Sequence, residues 1–255
     1  IHLKLYGLIG YPLTHSFSAQ YFNEKFYREN ILDCSYELFP LQDISELKGL
    51  FKNYAHLKGL NISIPYKEQI IRFLSNIEET AKQIGAVNTV KIMDHPNVIL
   101  HGFNTDVYGF EESIKSYLKK HHKKALILGT GGASKAVTFV LNKLGIASSL
   151  VSRNQSNTQN TNTYSEIDEE TIHTHQIIIN TTPIGMFPNI SQMPEIPYQF
   201  LTKEHFLYDL IYNPKETLFL KEGRKKEATI CNGEQMLYLQ AEKSWQIWNK
   251  EEFAT

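Results

Sequence analysis

The sequence predicts a two-domain α/β protein, and three observations lead to this fold class. Apolar runs with strand character alternate with amphipathic helical runs, which is typical of parallel βαβ units. A fully apolar strand, Ala125–Leu128, leads through a group of glycines into a helix. A length of 255 residues suits one large domain or two modest ones. We therefore expect an N-terminal α/β domain over 1–104, a Rossmann domain over 105–232, and a last helix within 233–255.

The first hundred residues alternate between strand and helix signals. Leu3–Gly10 is apolar and ends in a Gly-Tyr-Pro turn, and Ser16 or Ser18 can then cap a helix that runs to about Asn30. The same criteria predict strands at Ser35–Phe39, Lys58–Ile64, Ala86–Ile92 and Val98–Gly102, and helices at Ile44–Tyr54 and Thr80–Gly85.

The rest of the chain continues this alternation. Helices are predicted at Val107–Lys119, from the glycines to about Leu144, and at Gly233–Trp248, and strands at Ala125–Leu128, Ser148–Val151, Gln176–Ile179, Phe206–Ile211 and Ala228–Ile230. The segment Gln155–Ser165 is rich in Asn, Thr, Gln and Ser, so we predict a mobile surface loop there.

Charge and composition exclude several kinds of protein. With 26 basic and 27 acidic residues the net charge is −1, which argues against binding to nucleic acid or to an anionic membrane. Apolar runs are far shorter than a membrane span. Only Cys34 and Cys231 are present, which is typical of a reducing compartment, so we expect a cytoplasmic protein. No group of His and Cys has metal-ligand spacing, and we expect no metal.

The glycine-rich turn carries the strongest local signal. Gly129 permits a tight turn, and Gly131 and Gly132 let the backbone approach a pyrophosphate at the start of the following helix. Ser134 stands where the usual fingerprint has Gly or Ala, so the helix must tolerate a hydroxyl there. The placement between a buried strand and a helix favours a dinucleotide site over a plain turn.

The end of the next strand bears on the choice of dinucleotide. A site for NAD usually has an acid there, which holds the ribose 2′-hydroxyl. This strand ends in Ser152-Arg153-Asn154, and Arg153 can pair with a 2′-phosphate. The sequence therefore favours NADP, although Arg153 could also be an ordinary surface arginine.

The N-terminal half contains several polar groups near predicted strand ends. Ser16 and Ser18 stand where a helix begins, a corner that can bind a carboxylate. Taken alone, this stretch favours the simpler interpretation that one serine only caps the helix. Polar segments also occur at or near the ends of three strands, at 61–67, 88–89 and 104–106. Because α/β proteins bind ligands at the carboxyl ends of strands, these segments predict a polar pocket.

The chain resembles the shikimate dehydrogenase family over nearly its whole length, through eight segments in family order. They are Gly10-x-Pro12-x-x-His15-Ser16-x-Ser18, Gly59-Leu60-Asn61-x-Ser63-x-Pro65-x-Lys67, Gly85-Ala86-Val87-Asn88-Thr89, Gly102-x-Asn104-Thr105-Asp106, Gly129-x-Gly131-Gly132-Ala133-Ser134, Asn180-Thr181-Thr182-Pro183-x-Gly185-Met186, Asp209-x-x-Tyr212-Asn213-Pro214 and Asn232-Gly233-x-x-Met236-Leu237-x-x-Gln240. Family members often have Thr at the position of Ser63, and more than one Arg in the region of Arg153.

The resemblance implies an NADP-dependent oxidoreductase that reversibly reduces 3-dehydroshikimate to shikimate in aromatic amino-acid (chorismate) biosynthesis, acting as a monomer or homodimer. It implies a catalytic pair, Lys67 and Asp106, either of which can be the formal acid. It also implies that the last helix, within 233–255, returns to pack on the first domain. The implied substrate-binding residues are Ser16, Ser18, Asn61, Ser63, Lys67, Asn88, Asp106, Tyr212 and Gln240. The implied cofactor-binding residues are Gly129, Thr130, Gly131, Gly132, Ala133, Ser152, Arg153, Asn154, Leu210 and Gly233.

Two alternatives remain open at this point. One is a quinate/shikimate dehydrogenase that tends toward NAD, which the short basic region at Arg153 allows. The other is a dinucleotide sensor without catalytic activity, against which the retention of both Lys67 and Asp106 argues.

Overall fold

The computed structural model describes residues 3–13, 16–94, 98–154 and 161–250. The chain divides into two compact units, one formed by Ile1–Thr105 with Ala241–Thr255 and the other by Asp106–Gln240. The second boundary thus falls inside the last helix and not at 232/233, where we predicted it. The reason is packing within the second unit, where a Cβ atom on Gly109 would come within 2.6 Å of the Met236 carbonyl oxygen.

The first unit is built on a mixed six-stranded sheet with the strand order β2-β1-β3-β5-β6-β4. β3 pairs antiparallel with β5 and β5 with β6, whereas β1 is parallel to both of its neighbours. The elements are β1 (Lys4–Gly10), α1 (Phe17–Arg28), β2 (Cys34–Pro40), a 3-10 turn (Ile44–Glu46), α2 (Leu47–Asn53), β3 (Leu57–Ile62), a 3-10 turn (Gln69–Phe73), β4 (Asn76–Ile77), α3 (Glu79–Ile84), β5 (Thr89–Asp94) and β6 (Val98–Phe103).

The end of the chain completes the core of this first unit. The Tyr6 ring, on the inner strand β1, lies 4.8 Å from the ring of Trp248 and 5.4 Å from that of Trp245. The indole N–H of Trp248 donates to the Val90 carbonyl at 3.0 Å. A Cβ atom at position 59 would overlap the same indole, so glycine is required there for the close approach.

The second unit is built on a parallel six-stranded sheet with the strand order β12-β11-β10-β7-β8-β9. Its elements are α4 (Asp106–Ile114), a 3-10 turn (Lys115–Tyr117), β7 (Lys124–Leu128), α5 (Gly132–Lys143), β8 (Ala147–Ser152), β9 (Thr161–Thr163), a 3-10 turn (Tyr164–Glu166), α6 (Glu169–Thr174), β10 (Ile177–Asn180), a 3-10 turn (Tyr198–Phe200), β11 (Phe206–Asp209), α7 (Leu218–Lys225), β12 (Thr229–Cys231) and α8 (Glu234–Asn249), whose last part belongs to the first unit.

The strand order of the second unit is that of a doubly wound fold. If β7 to β12 are numbered 1 to 6, the order across the sheet from β9 to β12 is 3-2-1-4-5-6. This is the strand order of the Rossmann class. The side chains of Ala125–Leu128 and Ile177–Ile179 are fully buried, as expected for inner parallel strands covered on both faces. The predicted fold class, with two α/β units and a last helix that returns to the first, is confirmed.

Several local predictions differ from the structure. The predicted loop Gln155–Ser165 is wrong at its end, because Thr161–Thr163 forms β9 and pairs with β8. The first six residues of that loop, 155–160, lie outside the described residues, as does His15 of the first motif. Two helices, α6 and α7, were not predicted. None of the helices in the described ranges is both long enough and apolar enough to cross a bilayer.

Candidate active site

The first helix begins at the predicted serine corner. Ser16 is the N-cap of α1 and its Oγ accepts a hydrogen bond from the backbone N–H of Ser18 at 3.2 Å. The first turn of α1 contains no acidic residue, and both serines are half-buried. Ser16 therefore does cap the helix, and the positive end of the helix dipole at this corner suits an anion.

Asn61 lies at the end of β3 within a buried polar network. Its side-chain oxygen accepts a hydrogen bond from the Tyr36 hydroxyl at 2.8 Å, and its amide nitrogen lies 3.3 Å from the Asn88 carbonyl oxygen. Tyr36 also interacts with the hydroxyl of Ser18, which opposes the increase that burial causes in the tyrosine pKa. Ser18, Tyr36 and Asn61 thus form one connected group in the first unit.

The segment after β3 is held by backbone and side-chain contacts at both ends. Ser63 donates its backbone N–H to the Ile9 carbonyl at 2.9 Å. The buried Tyr66 donates its hydroxyl to the Leu41 carbonyl at 2.6 Å. The carbonyl of Lys67 accepts from the N–H of Val87 at 2.8 Å. The half-buried Lys67 side chain therefore starts from a fixed backbone position beside the Asn88 segment.

Asn88 joins two of the polar segments. Its side-chain oxygen accepts from the Thr105 N–H at 2.7 Å, and its side-chain nitrogen donates to the Thr105 hydroxyl at 3.0 Å. Asn104 donates to the Ala86 carbonyl at 2.9 Å. The structure thus brings Asn61, Asn88 and Thr105 together in the first unit.

The remaining predicted substrate residues belong to the second unit. Asp106 is the first residue of α4 and is almost completely buried, at a helix end that favours a negative charge. Gln240, in α8, is buried and donates to the Leu237 carbonyl at 2.9 Å. Tyr212 is half-buried after β11. The predicted pair Lys67 and Asp106 is therefore divided between the two units.

The glycine-rich turn lies between β7 and α5, as predicted. Gly129 has a φ of 109°, and a Cβ atom there would lie 2.7 Å from the Thr181 hydroxyl oxygen, so a glycine is required. Gly131 is the N-cap of α5, with open space where its Cβ would be. The Ser134 hydroxyl donates to the Gly131 carbonyl at 2.6 Å, which explains how the helix tolerates this buried side chain.

The start of α5 fits the pyrophosphate of a dinucleotide. No side chain caps the helix and its first turn contains no acidic residue. The N–H groups of the first turn have no acceptor four residues earlier within the helix, and together with the helix dipole they favour an anion. The open space at Gly131 is a cradle that a larger residue would narrow.

The end of β8 carries the predicted basic residue. Arg153 is exposed, Ser152 is half-buried, and the Ser152 hydroxyl accepts from the Asn154 N–H at 3.4 Å. Arg153 lies close enough to Tyr164 for its positive charge to oppose the rise that burial causes in the tyrosine pKa. The charge at this strand end therefore suits a phosphate rather than a ribose hydroxyl.

Gly233 and Leu210 form a close backbone contact in the second unit. A Cβ atom on Gly233 would overlap the carbonyl of Leu210, and the Gly233 N–H donates to the Ile211 carbonyl at 3.1 Å. This contact fixes the segment after β11 against the start of α8.

Asp209 and Ser244 are two buried polar residues whose contacts were not predicted. The sequence signal for Asp209 is an acid inside the otherwise apolar predicted strand Phe206–Ile211. Ser244 gave no comparable signal, because it is one serine in the amphipathic pattern of the last helix and its partners are distant in sequence.

The second unit is a Rossmann-type unit, as its strand order, its glycine turn and the helix after that turn show. Rossmann-type units are the usual binding domains for dinucleotides. Comparison with known proteins gives the family. The family model described as the shikimate dehydrogenase substrate binding domain matches residues 8–90. A protein of Caldanaerobacter subterraneus subsp. tengcongensis named shikimate dehydrogenase (NADP(+)) is 37% identical over 270 residues, which cover 98% of this chain and 93% of that protein.

Solved structures agree with this comparison. The crystal structure of shikimate dehydrogenase from Aquifex aeolicus is 36% identical with a TM-score of 0.85, and the match covers 97% of this chain and 92% of that one. Quinate dehydrogenase from Corynebacterium glutamicum in complex with NAD is 26% identical with a TM-score of 0.85, with 97% and 94% covered. The chain belongs to the shikimate dehydrogenase family, which confirms the predicted resemblance.

Proposed function

We propose that this protein is an NADP-dependent oxidoreductase that reversibly reduces 3-dehydroshikimate to shikimate, a step of aromatic amino-acid biosynthesis. The observation that carries the proposal is the 37% identity to a relative named shikimate dehydrogenase (NADP(+)), because the match covers 98% of this chain and so includes both units. The buried polar network in the first unit and the glycine cradle in the second are consistent with it.

Lys67 and Asp106 are the proposed catalytic pair, and we assign them to one reaction on the basis of the family resemblance. When bound, NADPH supplies the hydride that reduces the ring ketone. As negative charge develops on the carbonyl oxygen, the ammonium group of Lys67 stabilises it and donates the proton. The fixed backbone of Lys67 supports this role, since a proton donor must be held in place. Asp106 would orient the lysine and share the proton.

The proposed substrate contacts follow the chemistry of the side chains. Ser16 and Ser18, at the positive end of α1, would bind the carboxylate of shikimate. The amides and hydroxyls that suit ring hydroxyls are Asn61, Ser63, Asn88, Tyr212 and Gln240. The first-unit members of this group are buried or half-buried, so they can act on the substrate with little competition from water.

The residues that would hold the cofactor lie along one end of the second sheet. Gly129, Thr130, Gly131, Gly132 and Ala133 would bind the pyrophosphate, and Ser152, Arg153 and Asn154 the adenosine phosphate. Leu210 and Gly233 would lie near the nicotinamide. The open cradle at Gly131 and the cation at Arg153 support this assignment.

A steady-state assay of the purified protein tests the proposed function. Absorbance at 340 nm is followed with shikimate or quinate, each with NADP or NAD. We expect the highest kcat/KM with shikimate and NADP. A higher kcat/KM with quinate and NAD would instead support the function of the Corynebacterium relative, and no turnover in any combination would support a non-catalytic dinucleotide sensor.

Arg153→Ala tests the cofactor assignment. A charge-assisted contact with a phosphate contributes about 1.5–3 kcal/mol, so KM for NADP should rise about ten- to a hundredfold. KM for NAD should stay nearly unchanged, because NAD lacks the 2′-phosphate, and kcat at saturating cofactor should hardly change. Equal loss of activity with NADP and NAD would show that Arg153 has a structural role instead.

We also propose a cytoplasmic protein that works as a monomer or homodimer. Both Cys34 and Cys231 are unbridged thiols, which supports a reducing compartment.

A further inference from the structure

The hydroxyl of Ser244 lies at the centre of the buried polar network in the first unit. Ser244 belongs to the last part of α8 and has no exposed surface. Its Oγ lies 3.0 Å from the Asn61 amide nitrogen, 2.8 Å from the Thr89 hydroxyl and 3.2 Å from the Thr105 hydroxyl. This hydroxyl therefore contacts side chains from three separate segments of the first unit.

The direction of these hydrogen bonds fixes how Asn61 is oriented. The Tyr36 hydroxyl donates to the Asn61 oxygen at 2.8 Å, so the amide nitrogen faces the opposite side. That nitrogen is a donor to Ser244, to the Thr89 hydroxyl at 3.2 Å and to the Asn88 carbonyl at 3.3 Å, and the Ser244 contact is the shortest. A flipped amide would bring its oxygen against the Asn88 carbonyl oxygen, which is unfavourable.

This orientation determines what Asn61 can offer a ligand. An amide nitrogen has two hydrogens, and both have acceptors within the protein. An amide oxygen can accept two hydrogen bonds, and Tyr36 supplies only one. Asn61 therefore presents an acceptor, which matches the O–H group of a ring hydroxyl.

We propose that Ser244 is a positioning residue for substrate binding, which holds the Asn61 amide so that its oxygen can accept a hydrogen bond from a ring hydroxyl of shikimate. The inference rests on the proposed function. It gives α8, which follows the Rossmann sheet in sequence, a direct part in organising the substrate pocket of the first unit.

Ser244→Ala tests this role. Without the hydroxyl, the Asn61 nitrogen retains two more distant acceptors and the amide can rotate away from its binding orientation. KM for shikimate should rise about five- to tenfold, as expected for the loss of one well-placed hydrogen bond. The value of kcat should change less than twofold, because the hydrogen bond between the Asn61 oxygen and the ring hydroxyl of shikimate is equally strong in the ground state and the transition state. KM for NADP should not change.

A double-mutant cycle separates positioning from general destabilisation. In an Asn61→Ala background the Ser244→Ala substitution should change KM for shikimate less than twofold, since the group it positions is gone. Additive increases in KM would overturn the proposal.

Ser113→Ala is the matched control. Ser113 is equally buried, lies in the second unit, and shares a hydrogen bond with the Tyr208 hydroxyl at 2.7 Å. It should lower the melting temperature by a few degrees, as Ser244→Ala should, while KM for shikimate stays unchanged. If Ser244→Ala does not fold, Ser244→Cys keeps the size with a poorer acceptor and should raise KM by a smaller factor.

The results also distinguish this inference from the proposed function. A wild-type protein that does not oxidise shikimate with NADP would refute the proposed function and the inference with it. Normal wild-type turnover with an unchanged KM in both Ser244 variants would refute the inference alone.

Discussion

Substitution of Lys67 by methionine should lower kcat for shikimate oxidation by about a hundred- to ten-thousandfold, the usual contribution of a general acid or base. Methionine approximates the length of the lysine side chain but holds no proton. KM for shikimate and for NADP should change only a few-fold, because the ammonium group acts mainly on the charge that develops in the transition state. Kinetics at saturating shikimate and NADP give kcat directly.

The same substitution at Lys82 is a suitable control for Lys67. Lys82 is exposed in the last turn of α3, in the same unit, and belongs to neither proposed set of site residues. Lys82→Met should leave kcat within twofold of the wild type. If Lys67→Met retained more than half of the wild-type kcat, Lys67 would not be the group that accepts the proton in oxidation and donates it in reduction.

Asp209→Ala should destabilise the second unit by about 3–5 kcal/mol. Asp209 is fully buried at the end of β11 and accepts hydrogen bonds from the Asn180 amide at 3.1 Å, the Ile211 N–H at 3.0 Å and the Thr217 hydroxyl at 2.6 Å. Alanine would remove the acceptor shared by all three donors and leave a cavity among them. Urea unfolding followed by circular dichroism measures the loss.

Asp209→Asn is the control for Asp209→Ala, and it also tests how the free energy of unfolding depends on pH. Burial raises the pKa of Asp209 to about 7, although its three hydrogen bonds oppose the rise. An aspartate in the unfolded chain has a pKa of about 3.9. Between pH values of about 3.9 and about 7 the folded protein therefore binds more protons at this position than the unfolded chain does. The free energy of unfolding contributed by this group is therefore highest below pH 4 and falls as the pH rises to about 7.

An amide at position 209 cannot ionise and can still accept from Ile211 and Asn180. The asparagine variant should remain folded. Its free energy of unfolding should not show the decrease between acid and neutral pH that Asp209 causes in the wild type. A pH dependence identical to that of the wild type would show that Asp209 does not titrate in this range. Unfolding of the asparagine variant as severe as that of the alanine variant would contradict the hydrogen-bond argument.

The sequence predicted best those features that depend on neighbouring residues. The strand Ala125–Leu128, the turn at Gly129 and the following helix are local, because an apolar run, a positive φ and a helix start each have their own signal. The N-cap role of Ser16 was likewise one of two interpretations of a local pattern. The strand Thr161–Thr163 was missed, since its polar residues resemble a loop until β8 pairs with them.

Contacts between distant segments could not be predicted in this way. Asn61 and Ser244 are separated by 183 positions, and only the return of α8 to the first unit brings their polar atoms within 3.0 Å. The three donors around Asp209 come from two loops and a strand end, whose approach depends on the packing of β10 against β11. Family resemblance supplied roles for the site residues but not these supporting contacts.

The first unit is made of two separate stretches of chain, and this has a consequence for folding during synthesis. A ribosome adds residues from the N-terminus, so the segment with Trp245 and Trp248 emerges after every residue of the second unit. Until then Tyr6 lacks the two indole rings that it contacts in the native core. The residues of Asp106–Gln240 are contiguous, so this later part of the chain can complete its fold first, the reverse of the usual N-terminal-first order.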